Sequence, residues 1–157
     1  MRLHLVIFFL LASITHTALL ADDTYDQETI LKEAGSYLGS GAEGLASVLE
    51  KVFEDHGEPA GYIKGQEASG AWVLGLRYGD GELFLKNGYS QRLHWQGPSI
   101  GFDWGGNAAK VFTLVYHLPS AEALYMRYPG VDGSLYFVGG VGMNYLQRDG
   151  IILAPIR

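Results

Sequence analysis

Hydrophobic residues recur at helical spacing between residues 26 and 56. They form two sets, and the Gly39-Ser40-Gly41 segment between them would be poorly tolerated inside one continuous helix. Ser40 is followed three residues later by Glu43, which is the pattern of a capping box, so we expect a second helix to begin there. Gly57 predicts its end. The sequence therefore predicts two consecutive amphipathic helices.

After Gly57 the pattern changes to short strand-like runs with tight-turn signals beside them. Four glycine-containing pairs or triplets favour the positive φ angles of two-residue hairpins, so we predict an antiparallel meander. These turn signals are Gly79-Asp80-Gly81, Asn87-Gly88, Asp132-Gly133 and Asp149-Gly150. The strand candidates are residues 60–67, 71–78, 83–86, 92–96, 101–104, 110–118, 134–138, 143–147 and 151–154.

One strand and one helix can be described further. The run from Val111 to Tyr116 hardly alternates between apolar and polar residues, which indicates a strand covered on both faces. Residues 120–126 follow Pro119 and read as one short helix capped by Ser120.

The glycine content bears on the shape of the sheet. The chain has 22 glycines, about twice the average usage, and many lie inside or at the ends of strand candidates, where they permit sharp bends. We therefore expect an α+β fold, mostly β, with two N-terminal helices (26–56) packed on a small, glycine-rich, curled antiparallel β barrel (60–157) that is closed or nearly closed.

The N-terminus has the order of features found in secretory signal peptides. Arg2 precedes an unbroken apolar run from Leu5 to Ala12, and Ala21 provides a small residue before two aspartates. A membrane span needs about 20 mostly apolar residues, and His4 and His16 interrupt this segment before that length. We predict that residues 1–21 are removed after export, leaving residues 22–157 as one periplasmic domain without a stable membrane span.

Charge and cysteine content exclude several classes of function. The formal net charge is -6, and the lysines and arginines are scattered, so there is no electrostatic footprint for nucleic acid. The chain has no cysteine, which excludes disulfides, thiolate chemistry and lipoprotein acylation. An exported chain of this kind must be held together by its hydrophobic core.

Residues with potential chemistry are few. His56 and His117 lack a second histidine at metal-ligand spacing, so we interpret His56 as a partly cationic helix C-terminal residue and His117 as a hydrogen-bonded core residue. Ser99 formally matches a Gly-x-Ser-x-Gly motif, but no helix can follow it. Glu67 and Asp103 are the carboxylates best placed for a hydrolase, although their spacing selects no pair. We predict no catalytic residues, no metal site and no cofactor.

An aromatic group around one proline turn is the most suggestive feature for binding. Trp95, Pro98, Phe102 and Trp104 lie close together in the sequence, and two of them flank a Gln-Gly-Pro-Ser turn. Aromatic side chains that line a concavity typically bind apolar ligands. We predict either a mouth for an apolar ligand at these residues or, alternatively, an aromatic core and lid.

Six stretches of the chain together form a specific pattern: residues 62–71, 75–81, 95–103, 114–119, 128–133 and 154–157. They resemble the EipA-type periplasmic envelope-integrity proteins, a bacterial family with a domain of unknown function. The likeness runs from about Tyr25 to the end of the chain. It implies a periplasmic protein with a small β barrel, a role in envelope integrity and no known catalytic site.

A weaker likeness connects the glycine-rich strands and the tryptophan-proline turn to SYLF lipid-binding domains, without any residue-level site. The EipA pattern continues beyond the Ala-Pro-Ile-Arg segment at which this sequence stops. The resemblance therefore implies either a C-terminally truncated domain or one that closes with fewer strands.

Three functions remain open from the sequence. The first is a non-enzymatic periplasmic protein that supports cell-envelope integrity, with an envelope component as partner. The second is a binding module for lipid or another apolar ligand, and the third is a hydrolase acting on wall or glycan material.

The C-terminal strand raises a separate question about partners. Asp149-Gly150 predicts a hairpin that pairs residues 143–147 with residues 151–154. The apolar, β-prone residues 151–153 would form an aggregation-prone edge if one side stayed unpaired. We expect that edge either to close onto an earlier strand or to form a homodimer by strand addition.

Overall fold

The computed structural model describes residues 23–39, 43–69, 75–98 and 108–157. In these residues two helices are followed by eight strands, with a short 3₁₀ helix between the fourth and fifth strands. The helices are α1 (Gln27–Leu38) and α2 (Leu45–His56), and the 3₁₀ helix is Ala121–Leu124. The strands are β1 (Gly61–Ser69), β2 (Leu76–Leu85), β3 (Ser90–Pro98), β4 (Ala109–Tyr116), β5 (Tyr136–Val138), β6 (Val141–Met143), β7 (Leu146–Arg148) and β8 (Ile151–Ile156).

The two predicted helices are confirmed, but only the first has a side-chain cap at its N-terminus. The carboxylate of Asp26 caps α1 by accepting a hydrogen bond from the backbone N–H of Thr29 at 2.8 Å. Helix α2 begins at Leu45, after Gly44 as its N-cap, and no side chain makes the capping bond. The predicted capping box is therefore wrong in register, because Glu43 lies before the helix. Its other member, Ser40, lies outside the described residues.

All strand pairs in the described part of the chain are antiparallel, and they form one eight-stranded sheet in the order β3-β2-β1-β4-β8-β6-β5, with β7 also paired to β8. The mostly β, α+β class is thus confirmed. Within the described residues no ladder joins β3 to β5, so the sheet is not closed by backbone pairing. The described strands therefore form an open antiparallel sheet in place of the closed or nearly closed barrel that was expected.

One predicted hairpin is wrong. Gly79-Asp80-Gly81 lies in the middle of β2, which pairs with β1 on one side and β3 on the other. Neither glycine has a positive φ angle, so the backbone here is extended rather than turned. Parts of the two strand candidates on either side of it, residues 76–78 and 83–85, belong to one strand of ten residues.

The other turn predictions agree better with the structure. Gly88, Gly133 and Gly150 all have positive φ angles, and the hairpin between β7 and β8 is present. The predicted helix at residues 120–126 is a four-residue 3₁₀ helix, and Ser120 makes no side-chain cap to it. The strand candidate at residues 101–104 and the predicted signal peptide at 1–21 lie outside the described residues.

The sheet separates two hydrophobic clusters. One face packs against α1 and α2, with Phe112, Leu114 and Tyr116 of β4 at its centre. The opposite face, here called the far face, carries Ile63, Leu83, Leu93, Val115 and partly buried Leu153, against which the 3₁₀ helix packs. Residues 111–116 of β4 are all buried, which confirms that this strand is covered on both faces.

The C-terminal strand lies inside the sheet. β8 pairs with β4 on one side, and with β7 and β6 on the other. Of the two alternatives predicted for this edge, closure onto an earlier strand is the one observed. A homodimer by strand addition would need a free side on β8, and residues 152 and 153 are paired on both sides.

Candidate functional site

A charged cluster lies on the far face, where the ends of several strands meet. Glu67 and Arg77 are the buried charged residues of the described chain, at 7% and 4% exposure. Residue alternation places Glu67 on the same face as Ile63, and β-register places Arg77 beside it through the pairing of β1 with β2. Arg157 reaches the cluster from the end of β8, and we call these three residues with Trp95 the Glu67 cluster.

Glu67 accepts four hydrogen bonds from three side chains. Its Oε2 accepts from Arg77 Nη1 at 3.1 Å and from Arg157 Nε at 2.7 Å. Its Oε1 accepts from the indole Nε1 of Trp95 at 3.0 Å and from Arg157 Nη2 at 3.1 Å. A carboxylate offers about four lone-pair positions, so the acceptor capacity of Glu67 is fully used.

The charge state of Glu67 follows from these contacts. Burial alone would raise the pKa of the Glu67 carboxyl, but the hydrogen bonds and charge of Arg157, the indole N–H of Trp95 and the charge of Arg77 outweigh it and lower that pKa below its ordinary value. Glu67 is therefore ionised at neutral pH. An ionised carboxylate with no free acceptor position suits neither a general acid nor a nucleophile.

The two arginines are themselves held by further acceptors. Arg77 Nε donates to the carbonyl oxygen of Pro98 at 3.0 Å, which ties the end of β3 to the cluster. Arg157 Nη1 donates to Asn144 Oδ1 at 3.3 Å. The side chain of Arg157 is 27% exposed, whereas that of Arg77 is only 5% exposed. The cluster thus has a buried end and an end that contacts solvent.

The position of Trp95 depends on two glycines, Gly65 and Gly79, over which its ring lies. A Cβ atom placed on Gly65 or on Gly79 would overlap the Trp95 indole. These two glycines leave room on the far face for the ring to lie flat against β1 and β2 and to direct its N–H toward Glu67. The indole is half-buried and belongs to the margin of the far-face hydrophobic cluster.

The predicted apolar mouth is only partly within the described residues. Trp95 is held inward by Glu67, and Pro98 is exposed at the end of β3, where its carbonyl accepts from Arg77. Phe102 and Trp104 lie outside the described residues, as does Asp103, the second candidate carboxylate. The apolar mouth stays a prediction.

Sequence reasoning selected Glu67 but missed both arginines. Arg77 occupies the same alternating set as Gly79, Gly81 and Leu83, so an arginine at a position that otherwise carries only small or apolar residues was the available signal. Arg157 gave no such signal, because its role depends on the pairing of β8 next to β4.

A second polar cluster joins α2 to the sheet. The His56 ring packs against Tyr145 with centroids 4.5 Å apart and against Tyr116 at 5.5 Å. Tyr145 donates its hydroxyl to Asp55 Oδ2 at 2.6 Å. Burial lowers the pKa of His56 more than neighbouring Asp55 raises it, so the interpretation of a partly cationic imidazole is wrong.

The other histidine expectation also fails. His117 follows β4, is exposed, and has a positive φ angle of 56°, with Nδ1 3.2 Å from the carbonyl oxygen of Gly150. Within residues 23–39, 43–69, 75–98 and 108–157, no group of three or more His, Asp or Glu side chains is arranged to hold a metal ion. The helices described there are too short and too polar to cross a membrane.

Comparison with known proteins gives two positive findings. A family model described as Envelope integrity protein A matches residues 23–157. A crystal structure of a beta-barrel-like, uncharacterised protein from Brucella abortus is similar over 86% of this chain and 84% of its own, with 47% sequence identity and a TM-score of 0.81. Among curated proteins, none matches.

Proposed function

This chain belongs to the Envelope integrity protein A family, and from that membership we propose that it is a non-enzymatic periplasmic protein that supports the integrity of the cell envelope. The observation that carries the proposal is the family match, which extends over the whole sheet and both helices. The signal-peptide pattern of residues 1–21 supports the compartment, because export is required for a protein to act in the envelope.

The geometry of the Glu67 cluster supports a non-enzymatic role. Catalytic acids and bases need a free position toward substrate and a pKa near the working pH. Glu67 has its acceptor positions filled by Arg77, Arg157 and Trp95, and its pKa is lowered rather than raised. Its contacts connect β1, β2, β3 and the end of β8, as expected of a residue that stabilises the fold.

Gene deletion with complementation tests the proposal. Cells without the gene should become sensitive to detergents and to antibiotics that act on the cell wall, and the full-length gene should restore resistance. A gene that lacks residues 2–21 serves as the matched control for export and should fail to restore it. A deletion strain that resists both treatments as its parent does would contradict the envelope role.

Complementation with carboxylate variants tests the non-enzymatic part. Exposed Asp80, which pairs with Arg92 at 3.4 Å, provides a control carboxylate on the same sheet. We expect Glu67→Gln to restore resistance in proportion to the amount of folded protein that immunoblots detect, as Asp80→Asn should. If Glu67→Gln accumulates at wild-type levels and still restores nothing, a catalytic or binding role of Glu67 replaces the structural one.

A further inference from the structure

The edge strand β5 exposes two large hydrophobic side chains on the far face. Leu135 is 68% exposed and Phe137 is 71% exposed, the highest values among the large hydrophobic residues of the described chain. They alternate along the strand with Tyr136 and Val138, which pack against the helix-side core. Leu135 and Phe137 therefore point away from the helices, on a strand that its other two side chains hold in place.

The hairpin of β5 and β6 with Leu135, here called the edge hairpin (residues 135–143), is free of charge. Residues 133–147 contain no acidic or basic side chain. The other edge strand of the described sheet, β3, carries the exposed Arg92, and charged side chains are a common protection of sheet edges. Because β5 lacks this protection and exposes its apolar pair, the edge hairpin has the composition of a contact surface.

Charge is distributed unevenly between the helices and the sheet. Residues 23–58, which contain both helices, have nine acidic and two basic side chains and a net charge of -7. Residues 59–157 have seven acidic and eight basic side chains and a net charge of +1. An extended anionic surface would therefore repel the helix layer and accept the molecule from the far face, where Leu135 and Phe137 lie.

The small size of the apolar pair favours a lipid surface over a protein partner. β5 has three residues, so it offers a backbone edge of only about 10 Å. A stable protein interface buries about 1,200–2,000 Å² and needs a complementary surface over that area. A bilayer requires no such complementarity, since its headgroup region accepts single hydrophobic side chains, and binding increases with buried apolar area and with electrostatic attraction.

We propose that the edge hairpin docks on an anionic lipid bilayer, with Leu135 and Phe137 inserted between the lipids and the acidic helices facing away. This surface differs from the apolar mouth predicted around Trp95 and Pro98. The contact goes beyond the proposed role in envelope integrity. It is measured with purified protein, whereas the deletion strain measures the role in cells, so failure of one is distinguishable from failure of the other.

Flotation with vesicles tests the proposal. The protein purified after export is mixed with vesicles of equal parts phosphatidylglycerol and phosphatidylcholine, or of phosphatidylcholine alone. We expect binding to the mixed vesicles to be stronger by about fivefold, as roughly one net positive charge near the surface would give. Added sodium chloride should remove this difference by screening and leave the weaker apolar binding.

Two substitutions at the edge hairpin test the inserted side chains. Phe137→Ser and Leu135→Ser should each weaken binding to the mixed vesicles by about tenfold, the loss expected for one large apolar side chain that is no longer buried. The matched controls are Tyr78→Ser, at a tyrosine that is 46% exposed on β2, and Leu31→Ser, at a leucine that is 41% exposed on α1. Both controls should bind as wild type does.

Hydrogen exchange of the wild-type protein gives a test that needs no variant. With mixed vesicles present, the amides of the edge hairpin should exchange more slowly, and those of α1 should exchange at an unchanged rate. This measurement also decides the matter if a serine variant does not fold.

Three results would overturn the proposal. The first is wild-type protein that does not float with the mixed vesicles, and the second is a loss of binding in Tyr78→Ser or Leu31→Ser as large as that in Phe137→Ser. The third is a concentration-dependent dimer in sedimentation that Phe137→Ser abolishes, because a second copy of the chain would then occupy the edge hairpin. Slower exchange in the helices instead of the edge hairpin would likewise place the lipid contact elsewhere and refute it.

Discussion

At the scale of single residues, Glu67 links parts of the chain that are far apart in sequence. Its carboxylate accepts bonds from a side chain 10 residues away, from one 28 residues away and from one 90 residues away. Each of these donors belongs to a different strand or strand end. Because the carboxylate is buried and ionised, its removal would leave two guanidinium groups next to each other without compensation.

We expect Glu67→Gln to lower the free energy of unfolding by about 3 kcal/mol, the magnitude typical for breaking a buried ion pair by loss of one partner. Urea unfolding at pH 7 measures the change. Asp80→Asn removes the same charge from an exposed pair with Arg92 and should cost about 1 kcal/mol or less. Equal losses in the two variants would show that the cluster contributes no more than a surface pair.

The glycines beneath Trp95 give a second prediction. Gly79→Ala should displace the indole, because the added Cβ would overlap it, and should destabilise the protein by about 1–3 kcal/mol. Gly97→Ala is the control, since a Cβ at that position meets nothing within 4 Å. Tryptophan emission and urea unfolding report the displacement and its cost. An unchanged emission spectrum together with unchanged stability in Gly79→Ala would contradict this packing.

These residues also show what the sequence could predict. A turn was predicted at Gly79-Asp80-Gly81, where the structure has a strand. The two are easily confused, because glycine allows both a positive φ angle and close approach of a neighbouring group. Sequence alone gives no means to distinguish the two, since the group that approaches is an indole from the next strand. Glu67 was identifiable as a carboxylate in a strand, whereas its arginine partners depend on long-range pairing.

At the scale of elements, α2 is fixed to the sheet by hydrophobic and polar contacts at different ends. Leu45, Val48, Leu49 and Val52 are buried against the sheet. At the C-terminal end, His56 packs between Tyr116 and Tyr145, and Tyr145 donates to Asp55. The helical periodicity predicted the apolar contacts, but the aromatic pair was not predictable, because Tyr116 and Tyr145 come from distant parts of the chain.

The burial of His56 makes the stability depend on pH. Its pKa in the folded protein lies below the unfolded value of about 6.5, so above that pH neither state binds a proton at His56. As the pH falls below about 6.5, the unfolded chain takes up the proton first, and the free energy of unfolding decreases until the pH passes the folded pKa. The groups that face His56 are Asp55, Lys51, His117 and the two tyrosines.

Urea midpoints at pH 7.5 and pH 5.5 test this dependence. We expect wild type to lose stability between the two values and His56→Phe, which keeps an aromatic ring and removes the titration, to lose less. His94→Phe serves as the control at an exposed histidine on β3 and should behave as wild type does. A loss of the same size in His56→Phe would assign the pH dependence to other groups.

At the scale of the whole molecule, the order of strands in the sheet differs from their order in the chain. β1, β2 and β3 form a meander of neighbours, whereas β4 returns to pair with β1, and β8 then pairs with β4. An interior position of the sheet is therefore occupied by β8, the last strand of the described chain. The turn signals and the hairpin between β7 and β8 were predictable, but this interior position was not, because no local pattern specifies which earlier strand β8 joins.

The position of β8 predicts how the molecule responds to loss of its last residues. A chain that ends at Arg148 would lack the strand between β4 and β6, and with it Ile152, Ala154 and Ile156 of the helix-side core and Arg157 of the Glu67 cluster. We expect this chain to lose cooperative unfolding, as circular dichroism on heating would show.

A synthetic peptide of residues 149–157, added in excess, should restore cooperativity, because it supplies both the missing ladder and the missing guanidinium. The same peptide with Arg157→Gln should restore it less well, since Glu67 would then keep only Arg77 and Trp95 as partners. A sharp thermal transition in the shortened chain alone would show instead that β1–β4 and the helices form a core that does not need β8.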